Sequence, residues 1–337
     1  MVFSKILNRE KAETEKKDLM GEVLKYAGHE ENEVEVASLI AKLLPKYVKG
    51  TNYMKWFPFW EKNGFHVTPN HYYQPIPDTR TLKDELWERE SEMPGVDMRV
   101  EAQKDFLLNI FPRFREEYDG FPKGPTGVPH EFHFNNRMFD GTDALVLYCM
   151  VRHFKPKRII ECGSGFSTLM SAKAALMNGN TELTSIEPYP SEVLKKGFPG
   201  LSRLSVQKIE EVDLSIFSEL KDGDILFIDT SHVLRCGNDV HRIYLEIIPR
   251  LAPGVIIHVH DIFFPKEYPK SWMFKLYRSW TEQYLLQGFL AFNNQYEVLF
   301  CNSYMALKFL PEMKAAFPNS EPFWGGGSFW MRKKTRG

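Results

Sequence analysis

Between residues 158 and 260 the chain alternates short, nearly unbroken apolar runs with longer segments whose apolar positions recur every three or four residues. The runs predict strands over 158–162 (RIIEC), 183–187 (LTSIE), 203–207 (RLSVQ), 224–229 (DILFID) and 255–260 (VIIHVH). The longer segments predict helices around 167–178, 190–197, 213–220 and 237–250. Strands without strict polar alternation, each followed by a helix, call for a mostly parallel sheet covered on both faces. Past residue 290, YEVLFCNS and GGSFWMRK predict an antiparallel pair at the sheet edge. Ahead of the first strand, FDGTDALVLYCMVRHF reads as a helix with Asp140 or Thr142 as its N-cap.

The N-terminal part has a different texture. Residues 1–50 are charge-rich with helical periodicity, as in VEVASLIAKLLPKYV. Residues 51–80 are dense in aromatics and carry Pro69, Pro75 and Pro77, so neither a regular helix nor a central strand is expected there. Its aromatics, with His66 and His71 among them, would cover a core or line a site. Helical patterns return over 81–118, and the Gly/Pro-rich DGFPKGPTGVPHEF leads into the strand region. The expected organisation is a helical and lid-like extension over 1–130 and an α/β core over 131–337.

Composition narrows the partners. With 43 Lys+Arg against 44 Asp+Glu, the formal net charge of −1 gives no footprint for nucleic acid or an anionic membrane. No window reaches the roughly 18 consecutive apolar residues of a membrane span. The opening MVFSKILNREKAETEKK has no apolar h-region, so no secretory signal is expected. Four dispersed cysteines without a C-x-x-C pair fit a reducing, cytoplasmic setting. The aromatic-rich segment over 51–80 fits a small-molecule partner, and the sequence does not separate a hydroxyl, phenol, amine, carboxylate or peptide acceptor.

The chemistry starts at Glu161-Cys162-Gly163-Ser164-Gly165, where a strand turns into a helix beginning with Ser167 and Thr168. In an open parallel sheet ligands sit beyond the carboxyl ends of the strands, and glycines let the backbone approach them. A dinucleotide fingerprint would continue to a third glycine, but Thr168 stands there, and Glu161 would repel a pyrophosphate. A ligand with an amino group would suit that carboxylate. Glu187, ending the second strand, is placed to accept hydrogen bonds from both ribose hydroxyls of a nucleoside. A nucleoside without phosphates but with a cationic amino-acid end fits, and S-adenosylmethionine is such a molecule.

At these residues the chain resembles the class I S-adenosylmethionine-dependent methyltransferases. IIECGSGFST is similar to their first motif, TSIEP to their second, and GDILFIDTSH with LAPGVIIHVHDI to those of their fourth and fifth strands. FIDTSH…HD most resembles the subgroup of macrocin O-methyltransferases and cephalosporin hydroxylase-like proteins. The resemblance implies a Rossmann-like, mostly parallel seven-stranded sheet with helices on both faces and a terminal antiparallel strand. It implies Gly163 and Gly165 beside the methionine moiety, with Ser167 and Thr168 following, Glu161 near its amino group and Glu187 on the ribose. Asp143 and Glu210 are further cofactor candidates. In macrocin-type enzymes an aspartate at the position of Asp229 and an acidic pair at 260–261 hold magnesium, and a histidine at position 232 is the base. This chain has Asp229, His232 and Asp261 but His260 in place of an acid. A metal on Asp229, His260 and Asp261 would therefore be Mn, Fe or Zn rather than Mg, which prefers oxygen.

The expected reaction is in-line methyl transfer to an oxygen or nitrogen of a small acceptor, with Asp229 and His232 as catalytic groups. Three rivals share parts of the pattern. A nicotinamide-dependent oxidoreductase lacks its third glycine here. A metal hydrolase built on HVHD finds no further ligand in IFFP. A non-catalytic nucleoside-binding homologue would not need the intact set of acids and His232.

Overall fold

Successive residues of the central strands are apolar on both sides because both faces of the sheet are covered. In the computed structural model, which describes residues 33–320 and 324–335, the strands are β1 (Arg158–Cys162), β2 (Glu182–Ile186), β3 (Arg203–Ser205), β4 (Ile225–Ile228), β5 (Ile256–Val259), β6 (Tyr296–Cys301) and β7 (Phe329–Lys333). They form one sheet in the order β3-β2-β1-β4-β5-β7-β6, parallel through β5, with β7 antiparallel to both neighbours. Every residue of β4 and β5 is buried. Ile159, Ile225, Phe227, Ile256 and Trp330 enter the core on one face. Ile160, Leu226, Ile228, Ile257 and Met331 enter the core on the other, which is the period-two alternation of a doubly covered sheet.

The chain divides into two compact units, Met1–Leu82 and Lys83–Gly337. In the first, α1 (Glu33–Leu43) and α2 (Thr51–Lys62) are the longer helices. The helical expectation for residues 1–32 lies outside the described residues. The irregular segment expected over 51–80 is helical in its first part. Tyr53, Trp56, Phe57 and Trp60 fall three and four residues apart, a helical stripe, and Pro58 is accommodated within α2. The remaining prolines confine the irregular chain to the residues after Lys62. Phe57 stacks on His66 at 4.8 Å and His71 packs on Tyr72 at 4.3 Å, all inside this unit.

In the second unit α3 (Gly141–Phe154) and α4 (Phe166–Asn178) cover one face, and Asp140 caps α3 by accepting from the Gly141 N–H. Residues 83–130 belong to this unit. Phe106, Phe111 and Tyr118 are buried in its core, and Glu117 is bridged by Tyr148 Oη at 2.6 Å and Arg152 Nε at 2.8 Å, both from α3. On the other face the chain runs helically from α5 (Asp239–Arg242) to Arg250, and α6 (Glu282–Leu290) precedes β6. No helix of the described residues is long and apolar enough to cross a membrane.

The order of connections reverses between β1 and β4, and the carboxyl ends of those strands meet there. Gly163, at φ +84°, packs so closely that a Cβ would lie 1.7 Å from the Asp229 carbonyl oxygen. Gly165 is extended, and a Cβ there would meet nothing within 4 Å. Gly163→Ala should therefore lose about 2 kcal/mol or more of folding stability in urea unfolding, and Gly165→Ala less than about 1. Equal losses would contradict this division between a packing glycine and an open one.

Candidate active site

The turn after β1 joins two acids of opposite character. Glu161 is fully buried; its Oε1 accepts from Ser167 Oγ at 2.5 Å, whereas Oε2 has no hydrogen-bond partner. Burial pushes its pKa up to about 8. A buried carboxylate oxygen without a donor leaves a seat for one, and a cationic amine would draw the proton off as it bound. Glu187 follows β2 and is held by backbone N–H groups: Ser164 N donates to one oxygen at 3.2 Å and Tyr189 N to the other at 2.8 Å. That clamp presents the carboxylate to a cavity of about 420 Å³ lined by Gly163, Glu187, Glu210, Asp229 and Arg235 among others.

Asp229 links this cavity to a second group of charges at the ends of β4 and β5. His232 Nε2 lies 3.2 Å from Asp229 Oδ1 and 3.5 Å from Asp261 Oδ2, and its Nδ1 donates to Glu282 Oε2 at 2.9 Å. His260 Nδ1 lies 3.6 Å from both Asp229 Oδ1 and Asp261 Oδ1, with Nε2 3.4 Å from Asp143 Oδ2. His232 and Asp261 both hold positive φ, at 59° and 57°, a strained backbone for residues other than glycine. Burial alone would neutralise these groups, but mutual attraction outweighs it. Asp229 is brought well below the usual carboxylate range by His260 and His232. His232 resists burial and, flanked by Asp229 and Glu282, stays protonated up to about pH 10. Burial keeps Asp261 and Glu282 above the ordinary carboxylate range. Asp229, His260 and Asp261 offer one donor atom each, all within 4.8 Å of one another, so the donor set fits a divalent cation.

Residues 160–262 match the family model described as a methyltransferase domain. That span runs from β1 to just past β5 and takes in the glycine turn, Glu187 and the Asp229–Asp261 cluster. This chain carries an S-adenosylmethionine-dependent methyltransferase domain. A curated relative, named only as an uncharacterized protein of Archaeoglobus fulgidus, is 33% identical over 167 residues, 47% of this chain and 75% of that protein. Among solved structures the chain is similar to a methyltransferase from Geobacter sulfurreducens at 15% identity, over 72% of this chain and 98% of that one, with a TM-score of 0.37. It is also similar to the O-methyltransferase TomG from Streptomyces achromogenes, involved in tomaymycin synthesis and solved with SAM, at 14% identity over 76% and 100% of the two chains, TM-score 0.35.

Within this methyltransferase the expected cofactor residues fall into three groups. Gly163, Glu187 and Glu210 line the cavity. Glu161, Ser167 and Thr168 are buried behind the turn, with Thr168 Oγ1 accepting from Gly165 N at 3.0 Å. Asp143 sits apart from that cavity's lining: its carboxylate accepts from Gly327 N, Ser328 N and Asn302 Nδ2 and faces His260. His258 is fully buried against Phe227 with Nε2 3.0 Å from Ser328 Oγ. Sequence reasoning passed over Glu282, Asn302 and the glycines after Trp324. Glu282 reads locally as an ordinary acid in the first turn of α6. Gly326 and Gly327 carry a signal only in hindsight: a Cβ would fall 2.2 Å from Asp143 Oδ1 at the one and 2.7 Å from Asp261 Cα at the other.

The folded protein keeps a proton on Glu161 that the unfolded chain releases above its ordinary 4.5. Stability from this group is thus fully present below that value and lost as pH rises through about 8. Relative to wild type, Glu161→Gln should become more stable from about pH 5 to about pH 8, by up to about 1.4 kcal/mol per pH unit in urea unfolding. A difference independent of pH would return Glu161 to an ordinary carboxylate.

Proposed function

We propose that this methyltransferase transfers a methyl group from S-adenosylmethionine to an oxygen or nitrogen of a small-molecule acceptor, by in-line displacement across the cavity at the β1–β4 switch. The observation that carries the reading is one cavity lined at once by Glu187 and Asp229, with the unpartnered Glu161 oxygen behind its glycine turn. When bound, S-adenosylmethionine supplies a methyl on a sulfonium. Glu161 takes the amino group, which satisfies its orphan oxygen, and Gly163 and the open Gly165 leave room for the methionine chain. Ser167 and Thr168 brace that seat. Glu187, fixed by two N–H donors, accepts from the ribose hydroxyls, and Glu210 closes the same wall.

Asp229 and His232 serve the acceptor. They orient its nucleophilic atom and lower the cost of losing its proton. A divalent cation held by Asp229, His260 and Asp261 would polarise an acceptor oxygen. A protonated His232 donates rather than accepts a hydrogen bond, so its neutral form at the working pH requires something to displace that proton. The near-zero net charge and the modest cavity both suit a small acceptor rather than a polyanion.

Calorimetric titration with S-adenosylhomocysteine tests the cofactor half. Glu187→Ala should weaken binding by about 1–3 kcal/mol, the range for stranded hydrogen-bonding groups; unchanged affinity would remove Glu187 from the ribose. The acceptor half is tested on the product found by an acceptor screen. His232→Ala should keep cofactor affinity within a few-fold while turnover falls about 10²–10⁴-fold. Near-wild-type turnover would leave His232 a structural role only.

A further inference from the structure

The loop that carries the chain from β5 to α6, residues 261–281, lays aromatic side chains against His232. Trp280 packs on the His232 imidazole with ring centroids 4.3 Å apart, and Trp272, from the short helix Lys270–Phe274, meets Trp280 edge to face at 5.0 Å. Phe263 packs against Trp272 at 5.2 Å and Tyr268 against Trp280 at 6.2 Å, so neither indole stands alone. In this corner the Arg278 guanidinium lies 4.8 Å from the Trp272 ring and 4.6 Å from the Trp280 ring. Backbone bonds pin the corner in place. Arg278 N donates to Trp272 O at 2.9 Å, and Thr281 N and Glu282 N donate to His232 O at 2.9 and 3.1 Å. Tyr277, just before Arg278, holds a φ of +52°, a conformation kept only where the surroundings fix it.

A guanidinium between two indoles is held but not neutralised. Cation–π attraction fixes its place, yet among the described residues its N–H donors meet no carboxylate and no hydrogen-bond acceptor. Lys266 and Lys270 of the same loop, by contrast, are occupied: one donates to Glu88 O at 2.6 Å and the other to Asp84 Oδ1 at 2.7 Å. Lys275 is exposed to water. An arginine serving solubility alone would keep its head in water as Lys275 does. Arg278 is half-buried and folded back onto two ring faces, within two ring spacings of His232. The acids of the acceptor end lie elsewhere around that histidine, since Asp229 and Asp261 face its Nε2 edge while Trp280 covers the ring. An anionic acceptor is repelled by those two aspartates and drawn to Arg278. It therefore enters with its anion on the guanidinium and its neutral end toward His232.

We propose that Arg278, set between Trp272 and Trp280, is the residue that recognises the acceptor, and that the acceptor is a small hydroxy- or amino-carboxylate. Its carboxylate takes the guanidinium in a bidentate bond while its hydroxyl or amine points to His232. The inference rests on the reading that methyl transfer takes place beside His232, and it adds the chemical class of the acceptor. One guanidinium matches one carboxylate both in charge and in fork geometry. A phosphate monoester carries nearly two charges and would leave one of them unpaired near Asp229 and Asp261. The two indoles give the carbon frame of a carboxylate acceptor an apolar wall and keep water from the ion pair, which strengthens it.

The test uses the full-length protein and three probes of one shape: 4-hydroxybenzoate, 4-hydroxybenzamide and 4-hydroxyphenyl phosphate. Each is titrated with and without S-adenosylhomocysteine and followed by NMR at the tryptophan Nε1–H signals. 4-Hydroxybenzoate should bind saturably, with the amide and the phosphate each at least about 10-fold weaker. Arg278→Met should weaken the benzoate about 10–100-fold and leave the amide within a few-fold; a residue that only shaped the loop would weaken both alike. Arg278→Lys should restore only part of the discrimination, because it keeps the charge without the fork. No saturable binding of the benzoate, an amide or phosphate that binds as tightly, or discrimination that survives in Arg278→Met would overturn the proposal. The wild-type ranking decides even if a variant fails to fold. S-adenosylhomocysteine affinity is measured on the same samples. Its absence would contradict the cofactor reading, whereas cofactor binding without preference for the carboxylate would overturn the role of Arg278 alone.

Discussion

The contact on which the site depends is the approach of Gly163 to the carbonyl of Asp229. Parallel pairing of β1 with β4 brings the ends of the two strands together, and Asp229 N donates to Cys162 O at 2.9 Å just before them. Only a residue without a side chain, in the left-handed region, fits between the turn and that carbonyl. The consequence is geometric. The glycine turn after β1 and the start of the loop after β4 are fixed to one another by backbone, and neither depends on a flexible side chain for its place.

Around that fixed point the fold concentrates groups that burial would prefer to discharge. Glu161 yields to burial and holds its proton into the neutral range, because Ser167 and Thr168 supply too little to offset desolvation. Asp229, His232 and His260 do the opposite and stay charged together, because opposite charges lie within 4 Å on several sides. Charged groups gathered this way, two of them on positive-φ backbone, add little to stability by themselves. They are the arrangement expected where binding and chemistry set the demand rather than folding.

The layered sheet was legible because its signal is local. Apolar runs and helical spacing marked β1 to β5 to within a residue or two at most ends, and the two tail segments paired antiparallel as their patterns indicate. The helix over Thr51–Lys62 was obscured because prolines further along dominated the reading of a stretch whose aromatics repeat at helical spacing. At the site, Gly163, Glu187 and Asp229 announce themselves by standing at strand ends. Glu282 could not, since its meaning comes from His232, 50 residues away in sequence and 2.9 Å away in space. Asp143 was read as a cofactor candidate, whereas its carboxylate faces His260; its neighbours Gly327, Ser328 and Asn302 come from the far end of the chain, so which way it faces is a tertiary fact.

The most direct measurement is proton release when S-adenosylhomocysteine binds, read by calorimetry at about pH 7 in buffers of different ionisation enthalpy. If the amino end of the ligand seats on Glu161, that group passes from mostly protonated to ionised, and binding releases close to one proton. The release should vanish in Glu161→Gln. Binding with no proton released, or no binding by a protein that instead takes up a nicotinamide dinucleotide, would contradict the assignment of the glycine turn on which the account rests.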